Sequence, residues 1–164
     1  MRSPLREQTL PGVGVCANEP SEAFARTVTI GPLGDFAECA VTFHFEGKVE
    51  GVAYPSLSPT EQDAFIAAFG KDLNRLRLWC VAEGWLPDAF PALQVFVSDE
   101  YRISRALIPA AIGQRGRIEF PAWKIVAGEA AIAHELLHVF FPNGNRLLAE
   151  GLAVHLQASL GGNP

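Results

Sequence analysis

The chain has 164 residues, of which 49% are hydrophobic and 19% are charged. This length suits one domain, and the apolar content excludes an intrinsically disordered chain. The formal net charge of −5 argues against nucleic-acid binding, which needs a basic surface, and the three cysteines lack the CxxC spacing of a zinc site.

The first 23 residues contain several prolines and glycines and predict an irregular leader, without the apolar segment of a signal peptide. We therefore expect a cytoplasmic protein in which residues 24–164 form a single domain. Residues 24–30 and 36–46 predict two strands, because apolar and polar side chains alternate in the second. Residues 49–54 predict a third strand that pairs back as a hairpin.

A long helix follows, and the sequence marks both of its ends. Ser58 and Glu61 predict a capping box, with Pro59 in the first turn and Gly84 after the last. Apolar residues recur at helical spacing behind this start and predict a buried stripe formed by Phe65, Phe69, Leu73, Leu76 and Cys80.

Residues 93–98 predict a short apolar strand, followed by a short helix that must stop before Pro109. Gly113 and Gly116 predict a loop, and residues 117–120 predict a further strand. No linker separates these elements from the earlier ones, so we expect them to belong to the same domain.

The next segment contains the sequence HELLH from His134 to His138. Residues four apart share one face of a helix, so both imidazoles can reach one metal ion. Glu135 is rotated by about 100° from His134, which places its carboxylate where it can deprotonate a water on the metal. These polar groups exclude a membrane-spanning helix. Surface histidines with satisfied hydrogen bonds are the alternative to a metal site.

A third ligand is expected on the following helix. Pro142 ends the first helix and Asn145 can cap the second, so the two helices form an antiparallel hairpin. With a rise of about 1.5 Å per residue, Glu150 lies level with the gap between His134 and His138. Glu150 is therefore the predicted third ligand, and a glutamate at the protein surface is the alternative.

This segment resembles the gluzincin metallopeptidases of the peptidase MA-like group. The resemblance covers about a sixth of the chain and rests on the HExxH helix and on residues 148–153, Leu-Ala-Glu-Gly-Leu-Ala. It implies an α+β, zincin-like fold with a small mixed or antiparallel sheet packed on the active-site helix and the glutamate-bearing helix. It also implies one Zn²⁺ held by His134, His138 and Glu150, with Glu135 as the general base of peptide-bond hydrolysis.

The resemblance further implies a substrate site. In gluzincins the last strand before the active-site helix is the sheet edge that pairs with an extended peptide. Carried over to this chain, the edge strand that binds a peptide or protein substrate is formed by Arg117, Ile118, Glu119 and Phe120. The sequence indicates no oligomeric state.

Two departures from the family leave alternatives open. Larger gluzincins continue into a helical subdomain that supplies a tyrosine or histidine to the oxyanion, whereas this sequence ends fourteen residues after Glu150. His155 is rotated by about 140° from Glu150, away from the metal, and Tyr54 and Tyr101 have no predicted place. The chain is either a minimal gluzincin or part of a longer protein. A peptide-binding domain that cleaves little and a hydrolase of a non-peptide amide are the alternative functions.

Overall fold

A computed structural model describes residues 22–33, 36–84, 92–107, 116–142 and 145–160. Most of the predicted leader, Gly113 and the turn at residues 143–144 lie outside these ranges. The described residues combine a mixed sheet with four α-helices, which is compatible with the predicted α+β class. None of these helices has both the length and the apolar composition that crossing a bilayer requires.

The strands of the sheet are β1 Ala25–Ile30, β2 Cys39–Val49, β3 Val52–Pro55, β4 Leu93–Ser98, β5 Arg105–Leu107 and β6 Gly116–Pro121. Five of them follow the order β1-β2-β4-β6-β5, and β3 pairs with β2 outside this order. Strands β2, β4 and β6 are parallel, whereas all the other described pairings are antiparallel. The predicted hairpin is confirmed as the pair β2 and β3, but its turn lies at Glu50 and Gly51, so Val49 belongs to β2 and not to the returning strand.

Strand β5 stands where the sequence predicts a short helix, and that prediction is wrong. The Ser98 hydroxyl accepts a hydrogen bond from the Glu100 N–H, so the apparent helix start closes only a turn. Residues 105–107 then pair with β6. A helix confined between residue 98 and Pro109 would be too short to be stable alone, whereas strand pairing satisfies the backbone groups directly.

The prediction that Arg117, Ile118, Glu119 and Phe120 form the sheet edge is also wrong. These residues belong to β6, which lies between β4 and β5, so its backbone is paired on both sides. In the described part of the chain, the edge on this side is β5. The position of a strand in the sheet does not follow its position in the sequence, because β5 precedes β6 in the chain but adds to its outer side.

The predicted long helix is present as α1, Pro59–Ala82, and it covers one face of the sheet. Its capping box is present, since the Ser58 hydroxyl accepts from the Glu61 N–H and the Glu61 carboxylate accepts from the Ser58 N–H. The whole predicted stripe is buried. Phe69 packs edge-on against Phe43 of β2, with 5.3 Å between ring centres. Helix α1 and the sheet therefore form the main apolar core.

Three further helices follow β6: α2 Ala122–Val126, α3 Ile132–Phe140 and α4 Arg146–Ser159. Helix α3 lies against the sheet with its apolar residues buried. Gly116, predicted in a loop, is the first residue of β6 and allows this approach. A Cβ atom at Gly116 would lie only 2.8 Å from Cγ1 of Val139. Helix α3 can therefore pack this close to the sheet because residue 116 is a glycine.

Candidate metal centre

The three predicted metal ligands lie together at the junction of α3 and α4. The Nε2 atoms of His134 and His138 are 3.1 Å apart. Oε2 of Glu150 lies 3.3 Å from Nε2 of His134 and 3.6 Å from Nε2 of His138. Among the described residues, this is the one group of histidine, cysteine and acidic side chains whose ligand atoms could share an ion.

The spacing and chemistry of this triad fit a zinc ion. Ligand atoms bound to one tetrahedral zinc at about 2.1 Å are separated from one another by roughly 3.4 Å. The separations of 3.1, 3.3 and 3.6 Å lie close to this value. Two imidazoles and one carboxylate are also a common donor set for zinc with one position left open. The triad can therefore hold Zn²⁺ and leave room for a further ligand.

The protonation of the histidines agrees with this role. Two N–H groups cannot face each other at 3.1 Å, so at least one of the paired Nε2 atoms presents a lone pair. Burial and the neighbouring His134 ring lower the pKa of His138 below its usual value. A neutral imidazole is the form that binds a metal, so this shift keeps His138 available as a ligand near neutral pH.

Helix α4 brings Glu150 to the histidines because its start is fixed by Asn145. The Asn145 side chain accepts hydrogen bonds from the N–H groups of Leu147 and Leu148, at 3.1 and 3.3 Å. This confirms the predicted cap and places Glu150 in the second turn, facing α3. Its side chain is 46% exposed, against 19% for His134 and 13% for His138. The centre therefore opens to solvent on the α4 side.

Glu135 lies beside the triad and is only 5% exposed. Burial raises the pKa of its carboxyl group to about 7, and the charge of Glu150 adds to this effect. Lys124 and the backbone N–H of Ala106 act in the opposite direction. A divalent cation at the triad would also oppose the rise. A carboxylate with a pKa in this range can both accept and release a proton at neutral pH.

The triad and Glu135 line a cavity of about 370 Å³ whose other wall is β5 and the turn before it. The sequence did not point to the residues of this wall: Ile103, Ser104, Arg105 and Ala106. Arg146 at the start of α4 also lines the cavity, with its Nε 4.0 Å from Oε1 of Glu150. The sequence could have pointed to Arg146, because it lies one helical turn before the predicted ligand Glu150.

Other predicted or considered residues lie away from this cavity. The side chains of Arg117 and Glu119 lie on the face of the sheet opposite α1, where Arg117 donates to the Tyr101 hydroxyl at 3.3 Å. The Tyr54 hydroxyl donates a hydrogen bond to the Asp99 carboxylate. His155 is exposed on α4 and does not line the cavity, in agreement with its predicted direction.

Three comparisons with known proteins complete the description of the site. The chain matches no protein-family model, no curated protein sequence and no solved structure. The inference of function therefore depends on the geometry of the metal centre and on the residues of its cavity.

Proposed function

We propose that this chain is a zinc-dependent peptidase of the gluzincin type, with a zincin-like fold, acting on a peptide or protein substrate. The observation that carries the proposal is the convergence of His134, His138 and Glu150 within 3.6 Å, next to the buried carboxylate of Glu135. A structural zinc site would normally present a fourth protein ligand, whereas this triad is open towards a cavity.

The proposed chemistry divides between the ion and the protein. Zinc, when bound, supplies a Lewis acid that polarises a carbonyl group and lowers the pKa of a water. The Glu135 carboxylate takes the proton from that water and later delivers it to the leaving amine. Burial of Glu135 supports both steps, because it brings the pKa of the carboxyl group towards neutrality.

Strand β5 takes over the substrate role that the resemblance assigned to the sheet edge. The Gly116 N–H donates a hydrogen bond to the Ala92 carbonyl group, just before β4, at 2.9 Å. The backbone N–H and C=O groups of successive residues point to alternate sides of a strand, so those of Arg117 and Glu119 point towards β5. Their partners in β5 are Leu107 and Arg105, so the N–H and C=O of Ala106 point away from β6 and towards the cavity. The N–H already donates a hydrogen bond to the Glu135 carboxylate, and the C=O can accept one from an extended peptide beside the metal.

The first experiment measures zinc and turnover together. The purified chain should contain about one zinc, and it should cleave members of a mixed peptide library in a reaction that a chelator stops and added zinc restores. His134→Ala should remove zinc and turnover. His155→Ala, which changes an exposed histidine outside the cavity, should preserve both.

Each other outcome has a definite meaning. A chain that retains no zinc overturns the metal centre. Zinc with peptide binding but no cleavage supports the alternative function, a zincin-like peptide-binding domain. Chelator-sensitive hydrolysis restricted to small non-peptide amides keeps the metal chemistry and overturns the peptide substrate.

A further inference from the structure

A group of charges centred on one buried glutamate lies on the face of the sheet opposite α1, behind the wall of the metal cavity. Glu119 of β6 is only 1% exposed. Its carboxylate accepts from Nε of Arg105 on β5 and lies 2.7 Å from Arg117 on its own strand. Arg117 in turn stacks on the Phe96 ring of β4 at 3.9 Å.

We infer that Glu119 is a positioning residue that anchors β5 through Arg105 and so fixes the cavity wall opposite Glu135. Arg105 and Glu119 are register partners, so their ion pair reinforces a backbone pairing at the same position. Arg117 cannot replace Arg105 in this role, because it belongs to the same strand as Glu119. The effect on turnover rests on the proposed peptidase function, whereas the anchoring does not.

Few other contacts hold β5 in place. It is only three residues long, and among the described strands it pairs with β6 alone. In the turn before it, the Ser104 hydroxyl has no hydrogen-bond partner among the described residues, and Ile103 is 65% exposed. The N–H of Ala106, next to Arg105, donates a hydrogen bond to the Glu135 carboxylate in the cavity, so a displacement of β5 acts directly on Glu135. Loss of the Arg105 ion pair should therefore let this wall move relative to the metal ligands.

The test uses Arg105→Gln in the full chain. This change leaves Glu119 paired with Arg117, so the buried carboxylate keeps a cation and the fold should persist. Arg105→Lys retains the charge opposite Glu119 and serves as the rescue variant. Arg102→Gln makes the same substitution at an exposed arginine three residues away, which forms no ion pair with the described residues. Backbone hydrogen exchange, zinc content and peptide turnover are measured for all four chains.

For Arg105→Gln we expect the Leu107 amide, which pairs with β6, to exchange about tenfold faster or more. We also expect turnover to fall about tenfold with zinc content unchanged, because small displacements in a reactive site are costly. Arg105→Lys should reverse most of both effects, and Arg102→Gln should match the parent. If the Leu107 amide exchanges as slowly in Arg105→Gln as in the parent chain, the inference is wrong. It is also wrong if exchange is faster but turnover does not fall.

The two proposals fail differently. If the parent chain binds zinc but cleaves nothing, the peptidase proposal fails. The exchange of Leu107 still decides whether Glu119 anchors β5 through Arg105, because that measurement needs no substrate.

Discussion

The two sides of the metal cavity are built in different ways. On one side, α3 and α4 carry the three candidate ligands between residues 134 and 150, and each of them is placed by helical spacing or by the Asn145 cap. On the other side, β5 is a three-residue edge strand held by β6 and by a carboxylate on the far face of the sheet. The ligand side depends on local structure, and the wall depends on tertiary contacts. Changes on the two sides should therefore have separable effects on metal, turnover and substrate.

The largest effect is expected on the ligand side at Glu135, the proposed general base, which is not one of the proposed metal ligands. Glu135→Gln is nearly isosteric and cannot accept the proton, so turnover should fall by roughly 10²- to 10⁴-fold. Zinc content, measured by metal analysis, should equal that of the parent. Turnover within a factor of two of the parent would contradict the assigned role.

The next effect concerns the ligand supplied by α4. Glu150→Ala removes one of the three proposed zinc ligands. The affinity for zinc should therefore fall by more than the roughly 100-fold that even indirect partners of a metal contribute. Competition with a chromogenic chelator measures the affinity. Glu129→Ala, at an exposed glutamate before α3, is the matched control and should bind zinc as the parent does. Equal affinity for both variants would remove Glu150 from the centre.

A smaller effect is expected on the wall, where the Ala106 N–H donates a hydrogen bond to the Glu135 carboxylate. Ala106→Pro removes this N–H, which points away from β6, so the sheet pairing should survive as it does for prolines on other edges. Its loss should raise the pKa of Glu135 further, so less of the carboxylate is free to accept a proton and turnover at pH 6 should fall about tenfold, with zinc retained. Ala106→Val keeps the N–H and should show the pH profile of the parent. If the turnover of the proline variant depends on pH as that of the parent does, the Ala106 N–H does not act on Glu135.

The smallest effect returns to the ligand side, at the cap of α4. Asn145→Ala leaves the N–H groups of Leu147 and Leu148 without their acceptor, which should cost about 1 kcal/mol of helix stability. If loss of the cap lets the first turns of α4 unwind, Glu150 is held less firmly beside the histidines, and the affinity for zinc should fall about fivefold. Asn145→Asp retains an acceptor and should bind zinc with near-parental affinity. An alanine variant with parental affinity would show that the cap does not control Glu150.

The accuracy of the sequence predictions follows the same division. The α1 capping box, the placement of His134 and His138 on one face of α3 and the Asn145 cap were all predictable, because each depends on residues within a few positions of one another. Strand β5 was not, because three residues carry too little periodicity to indicate a strand. Its place outside β6 is determined by pairing between distant residues.

Glu119 shows a second reason why part of the site could not be predicted. The alternation of polar Arg117 and Glu119 with apolar neighbours is typical of a strand with one face in water. Glu119 is nevertheless almost fully buried, since arginines from two strands supply the charges that compensate for its burial. Sequence alternation identifies the face that a side chain occupies and does not reveal which partners cover it.

The contact between Gly116 and Val139 carries a consequence for sequence variation. The two positions share one small volume between β6 and α3, since even a methyl group at position 116 would overlap the valine side chain. In any relative that keeps this helix at the same distance, alanine at position 116 should be accompanied by a residue smaller than valine at position 139. Because Val139 directly follows His138, a larger residue at position 116 that displaced this part of α3 would also displace a proposed metal ligand.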